Sequence, residues 1–255
     1  MLIAYIQSIG GASGDMLLGA LLDLGLSLET LQSDLNKLDI SGYELQVTQD
    51  TRCEMRGTKL NVKIQDPTRY TPRFLLDTVI NSRLSEGVKT RSGEVLSALW
   101  RAECRVHGES EEVLELEELG SVDTLVDVVG VVSGLEQLGV ERVYAAPLVL
   151  GESTPPRWAG GYSNPAPATL ELVAMSAAPV VADLPLHQGA GELTTPTGAS
   201  LITTLAEFQR PAFSVRCWCG ARDQRPGGFS QRYQGLAGRN SGAVSCRTAG
   251  GNHSA

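Results

Sequence analysis

The chain has 255 residues, 42% of them hydrophobic, enough to fill the core of one large domain or two small ones. Acidic residues outnumber basic ones 29 to 21, and the net charge of −8 argues against a nucleic-acid backbone as the main partner while leaving room for a local anion site. No stretch approaches the roughly 20 apolar residues of a bilayer span, and residues 1–6 lack the basic and apolar regions of a secretion signal, so a cytoplasmic protein off the membrane is expected.

Residues 2–6 read as a short buried strand. The turn Gly10-Gly11-Ala12-Ser13-Gly14 then opens a helix that ends at Gly25, with Ser13 or Asp15 placed to cap it. A second helix over 27–38 starts at Ser27 and puts Leu28, Leu31, Leu35 and Leu38 on one face. Period-two alternation over 43–48 and 58–64 marks two half-buried strands that pair as a hairpin. Helices are expected at about 73–82 and 86–106, a longer one after Gly120, and a β-rich run over 140–150. The Gly-, Pro- and Ser-rich stretch 151–164 is a loop or lid, and helices begin near Pro167 and Pro196, each proline suiting a first helical position. Residues 224–255 are rich in Gly, Arg and Ser and should be a low-order tail. The sum is an α/β fold, a mixed sheet with flanking helices, forming one unit over about 1–223.

Cysteine use agrees with a reducing compartment. Cys53, Cys104, Cys217, Cys219 and Cys246 are an odd set without a CxxC pair. Cys217 and Cys219 share a face if that segment is a strand, as two plain thiols or as a metal pair.

Three constellations could carry chemistry. In Gly10-Gly11-Ala12-Ser13-Gly14-Asp15, glycines between strand and helix let backbone N–H groups approach an anion, and the helix dipole favours its charge. A tight turn needing positive φ, with Asp15 a first-turn carboxylate, explains the same residues. In the run from Glu115 to Asp127, Glu115, Glu117, Glu118, Asp123 and Asp127 supply five carboxylates, with Asp123 and Asp127 four apart on one helical face. Asp127 lies among Val126, Val128 and Val129, where an ionised carboxylate is costly unless paired or bound to metal. Oxygen ligands suit Mg²⁺ or Mn²⁺; a solvated acidic stretch with Asp123 as a cap is the bland alternative. In Thr194-Thr195-Pro196-Thr197-Gly198, hydroxyls and amides at a helix start could take a phosphate or simply cap the helix. His107, after the long helix, is either a surface residue or a ligand.

Read in order, Gly11-Ala12-Ser13-Gly14-Asp15-Met16, Val106-His107-Gly108, Glu118-Leu119-Gly120-Ser121-Val122-Asp123, Pro165-Ala166-Pro167-Ala168-Thr169, Glu192-Leu193-Thr194-Thr195-Pro196-Thr197-Gly198 and Gly220-Ala221-Arg222-Asp223 resemble the LarC family of nickel insertion proteins. The resemblance implies a nickel chelatase of the lyase class. Such a protein inserts Ni²⁺ into a pyridinium bis-thiocarboxylate mononucleotide, using CTP and a divalent ion such as Mn²⁺ or Mg²⁺, to complete the nickel-pincer cofactor of lactate racemase. It assigns Ser13, Gly14, Asp15, Thr195, Thr197 and Gly198 to nucleotide or cofactor contacts, and His107, Glu115, Glu117, Glu118, Asp123 and Asp127 to metal. A homo-oligomer is expected.

The departures are as informative. The family has a His-x-His-Glu run where this chain has Glu115-Leu116-Glu117-Glu118, a histidine where Ala159 stands, and an early Asp where Gln7 stands. Imidazole suits nickel better than carboxylate, so these replacements weaken the expected nickel affinity and leave hard-metal and nucleotide binding intact. The family also continues into a C-terminal domain, which is expected here as a separate chain or in a shifted reading frame. Two other functions fit the residues: a non-catalytic nucleotide- or partner-binding remnant, and a metal-dependent nucleotide hydrolase.

Overall fold

The computed structural model describes residues 1–52, 55–156, 161–210, 214–215 and 243–248. In chain order the strands are β1 (Leu2–Gln7), β2 (Tyr43–Arg52), β3 (Met55–Ile64), β4 (Arg142–Ala145), β5 (Leu148–Gly151), β6 (Val180–Ala182), β7 (Ala206–Glu207), β8 (Ser214–Val215) and β9 (Ala243–Thr248). The helices are α1 (Gly14–Asp23), α2 (Leu28–Leu35), α3 (Pro72–Ile80), α4 (Glu86–His107), α5 (Val122–Gln137), α6 (Pro167–Ser176) and α7 (Pro196–Leu205). This is the mixed α/β architecture expected.

Local sequence explains most of the helix starts. The hydroxyls of Ser27, Thr71, Ser85 and Thr195 accept hydrogen bonds from the amides of Thr30, Phe74, Val88 and Gly198, which satisfies N–H groups that have no partner inside the helix. Pro72, Pro167 and Pro196 stand at first helical positions, where the missing N–H costs nothing. The helix expected to run on to Leu38 closes as a 3-10 turn over Asn36–Leu38. α4 stops at Gly108, which takes a left-handed conformation with φ of 71°.

The main sheet has the order β7-β4-β1-β9-β8. β1 pairs parallel with β4 on one side and antiparallel with β9 on the other, so the sheet is mixed. β9 falls inside the polar stretch 224–255; the rest of that stretch, with Cys217, Cys219 and the Gly220–Asp223 motif, lies outside the described residues. β1 is the short buried strand expected, covered on both faces. Ala4 and Ile6 face the main core, while Ile3 and Tyr5 pack with Tyr144 on the opposite face.

α5 is the central helix. Every residue from Thr124 to Leu135 is buried, the signature of a helix covered on all sides. α1 lies close against it because Gly130 and Gly134 leave room for Leu18 and Leu21. On its other side α1 carries the β2–β3 hairpin: the Thr58 amide donates to Asp23 Oδ2 at 3.2 Å, and the Thr58 hydroxyl donates to Oδ1. α1 is thus fixed between hairpin and central helix, with its N-terminus directed at the turn that follows β1. Among the described residues no helix is long and apolar enough to cross a membrane.

Candidate functional site

The turn after β1 and the segment before α7 are distant in sequence and joined in space. The Ala12 amide donates to the Leu193 carbonyl at 2.9 Å, and the Thr195 amide donates to the Ala12 carbonyl at 2.9 Å. This contact needs glycine on both partners. A Cβ on Gly11, whose φ is +94°, would strike the Leu193 carbonyl, and one on Gly198 would strike that of Ala12. Thr194 anchors the segment from below: its buried hydroxyl donates to the Val149 carbonyl at 2.6 Å, and its carbonyl accepts from the Thr169 hydroxyl at 3.3 Å. The Pro-Ala-Pro-Ala-Thr motif therefore positions the Thr-Thr-Pro-Thr-Gly motif.

Gly14, the first residue of α1, meets α5 at Asp127. A Cβ on Gly14 would fall under 3.0 Å from the Asp127 Cβ and carboxyl atoms. Asp127 is 7% exposed, and its Oδ1 is buried without a hydrogen-bond partner. Burial first, and then the charges of Asp123 and Asp15, push its carboxyl well above the ordinary range. Asp123 lies one turn earlier on the same face of α5, half-buried, and burial together with Asp15 raises its carboxyl to about 6. Ser13 and Asp15 complete the rim. Ser13 occupies the N-cap position of α1, but its hydroxyl donates to Asp15 Oδ1 instead of accepting from a first-turn amide. Asp123 does not cap α5 either; Ser121 holds that position, also without a side-chain cap bond.

The structure thus brings Ser13, Gly14, Asp15, Asp123 and Asp127 into one neighbourhood where the first turn of α1 meets α5, with Gly198 of α7 against Ala12 and Ser13 and the buried Thr197 next to it in sequence. Thr195 belongs to it by position, although its hydroxyl is engaged in capping Gly198. What the sequence does not reveal is the Gly14–Asp127 contact, since only the fold brings 113 residues of separation to zero. The lone carboxylate in an apolar helix was the signal that could be read.

The remaining expected ligands form a second group. His107, at the end of α4, has Nε2 3.4 Å from Glu103 Oε2. Glu103 is buried, and burial raises its carboxyl despite the opposing effect of His107. Tyr162 lies near this stretch, and burial followed by the charges of Glu117, Glu103 and Glu118 raises its hydroxyl. Glu103 and Tyr162 were not singled out from sequence. Leu114 and Leu116 are buried while Glu115 and Glu117 are exposed, so this stretch is extended and sends both glutamates to the same side. Ala159 lies outside the described residues. Among the described residues, no three His, Cys, Asp or Glu side chains stand ready to enclose a metal ion.

Comparison with known proteins identifies the family. The nickel insertion protein family matches residues 4–221. A putative nickel insertion protein of Roseiflexus castenholzii is 36% identical over 251 residues, covering 90% of this chain and 62% of the relative. One from Thermomicrobium roseum is 43% identical over 216 residues, covering 84% and 52%. A pyridinium-3,5-bisthiocarboxylic acid mononucleotide nickel insertion protein of Desulfitobacterium hafniense is 39% identical over 217 residues, covering 85% and 52%. The chain spans 52–62% of the length of such relatives. No solved structure matches. A match over residues 4–221, through a turn, a central helix and a proline-started helix that meet at one site, means that this chain belongs to the nickel insertion protein family.

Proposed function

We propose that this chain takes part in inserting Ni²⁺ into pyridinium-3,5-bisthiocarboxylate mononucleotide, with CTP and Mn²⁺ or Mg²⁺ as helpers, to complete the nickel-pincer cofactor of lactate racemase. The observation that carries this reading is the family match across residues 4–221. Nickel is cargo here, and the mononucleotide is its acceptor. The acidic neighbourhood fits a hard divalent ion, because Asp127 Oδ1 is buried with no hydrogen bond to offset its desolvation. A bound ion would bring positive charge to these carboxylates. Ser13, Gly14, Asp15, Thr195, Thr197 and Gly198 would orient the nucleotide at the helix starts. His107, Glu117 and Glu118, with Glu115 on the same exposed side, would receive nickel from solution.

A second reading is favoured by one observation: Glu115 and Glu117 are exposed carboxylates where the resemblance leads one to expect imidazoles. A chain with such a change could bind nucleotide and have lost metal transfer. Reconstitution separates the two. The purified chain is incubated with the mononucleotide, Ni²⁺, CTP and Mn²⁺, and nickel carried by the small molecule is measured after removal of protein. Nickel-loaded mononucleotide, formed only when CTP is present, is the expected result. No loading, under conditions where a full-length relative loads it, overturns the proposal in favour of the remnant.

A further inference from the structure

We propose that the open edge of the β2–β3 hairpin is a homodimer interface, where β2 pairs antiparallel with β2 of a second copy about a two-fold axis at Gln46 and joins the two hairpins into one four-stranded sheet. The proposal stands apart from the nickel reading. Asp23, which holds the hairpin, is at the opposite end of α1 from Gly14, about 14 Å away by helix rise, so this edge and the acidic neighbourhood are separate surfaces.

The hairpin covers one edge and offers the other. The Thr58 amide of β3 donates to Asp23 Oδ2 at 3.2 Å, and its carbonyl lies against Gly19, so both backbone groups turn toward α1 and away from β2. Thr58 stands opposite Gln49. The two therefore form a non-hydrogen-bonded pair, and by the period of two the backbone N–H and C=O groups of Tyr43, Leu45, Val47 and Gln49 point outward from the hairpin. Among the described residues no other strand pairs with β2. β2 also lacks the devices that protect an edge strand from pairing: it contains no Lys and no Pro, and its register with β3 runs without a bulge. Residues 46–49 are all exposed, and Val47 is 37% exposed although Leu60, directly opposite it, is 1% exposed.

Self-complementarity makes a second copy the occupant. An axis at Gln46 sets Leu45 opposite Val47 and Tyr43 opposite Gln49, in both directions, so outward-facing residues meet outward-facing residues and exchange backbone hydrogen bonds. On the apolar face, the pairs Leu45–Val62 and Val47–Leu60 of the two hairpins then join into continuous rows, in which Val47 is covered by Leu45 of the second copy. On the polar face, Glu44 has Lys63 opposite it in its own hairpin and meets Thr48 of the second copy, beyond which stands that copy's Lys59. The carboxylate thus lies between cations of both chains. Moving the axis to Val47 would set Leu45 opposite Gln49 and break the apolar rows, while moving it to Leu45 would shorten the paired stretch to residues 43–47.

Sedimentation velocity of the intact chain over a range of concentrations tests the interface. A reversible monomer–dimer equilibrium is expected. Val47→Lys, which puts a charge on the edge, should weaken it about tenfold or more, since the change is made twice across the axis. Val113→Lys, the same change at a 63% exposed valine outside the hairpin, should leave it unchanged. Cysteine linking tests the register independently of any loss of affinity. Gln46→Cys brings two sulfurs together at the axis, where non-hydrogen-bonded Cα atoms stand about 4.5 Å apart, and should give a linked dimer on mild oxidation above the level shown by the parent chain. Thr48→Cys, which faces Glu44, should not. A chain that is monomeric at every concentration, a dimer as strong in Val47→Lys as in the parent, or one weakened equally by Val113→Lys overturns the interface. Linking through position 48 and not 46 overturns the axis at Gln46 and the apolar rows that depend on it.

Discussion

Gly14→Ala is the substitution for which the structure gives the sharpest expectation. On intrinsic propensity, alanine should favour α1 by up to about 1 kcal/mol, and less than that in a first turn. Packing reverses the sign. The new methyl group would fall under 3.0 Å from the Cβ and carboxyl of Asp127, and α1 has little freedom to retreat. Its opposite face is held by the hairpin, where a Cβ on Gly19 would likewise fall under 3.0 Å from the Thr58 carbonyl oxygen. Overpacking of this kind costs roughly 1–3 kcal/mol, so the net loss should be about 1–2 kcal/mol, or about 2–8 °C in melting temperature for a domain of this size. Thermal unfolding followed by circular dichroism reads it. A double-mutant cycle locates the cause. Asp127→Ala should not rescue the alanine at 14, because the Asp127 Cβ is itself among the clashing atoms, whereas Asp127→Gly should show a favourable coupling. A Gly14→Ala variant as stable as the parent, or rescued equally by both changes at 127, would show that α1 and α5 do not approach as described.

The other predictions concern the carboxylates. Asp123 is raised from 3.8 to about 6 in the fold, so between those values the native state holds more protons than the unfolded chain, and stability falls as pH rises through that window. Its share is about 2–3 kcal/mol as an upper figure, and in the presence of a chelator Asp123→Asn should flatten the fall seen by urea denaturation between about pH 4 and 6; an unchanged slope would refute it. Asp34 has the opposite sign. Burial pushes its carboxyl up, but hydrogen bonds from Lys37, Ser133 and Gln137 outweigh burial and hold it below the ordinary value, so its contribution is present at neutral pH and lost on acidification. Ser133→Ala should cost about 1–3 kcal/mol at pH 7 and less below pH 3; an equal cost at both would remove the network as the reason. Glu115→His with Glu117→His should strengthen Ni²⁺ binding more than Mn²⁺ binding in calorimetric titration, because both side chains leave an extended segment on the same side. Unchanged relative affinities would mean that neither position is a ligand.

Most of the fold was legible because it rests on local signals. Ser27, Thr71, Ser85 and Thr195 mark helix starts through side chains that reach their own first turns, and the alternation of Leu60 with its polar neighbours marks a strand. What resisted reading depends on approach between distant segments. Asp34 looks like an ordinary polar residue of an amphipathic helix, yet it is buried against Ser133 and Gln137 of α5. Ser13 carries the right chemistry for a cap, yet the nearby Asp15 carboxylate takes its hydroxyl. Glu103 and Tyr162 join the expected ligands only because the loop leading to Asn164 returns to the end of α4 and the acidic stretch, a long-range contact for which composition gives no cue.

The two acidic groups differ in a way that bears on their chemistry. Asp127 is withdrawn from water, with Gly14 at its nearest point of contact, and Asp123 lies half-buried one turn before it on the same helix. Their geometry is set by the core, and a charge there must be compensated by a ligand or removed by a proton. Glu115, Glu117 and Glu118 lie exposed on an extended segment, where water compensates them and the backbone can adapt. Ligand exchange, which metal delivery requires, suits the second setting; fixed orientation of a phosphate by a held ion suits the first. An exchange between imidazole and carboxylate in the adaptable group would change metal preference at little cost to the fold. The same replacement could not be made neutrally at Asp127, whose carboxyl already fills the space left by Gly14.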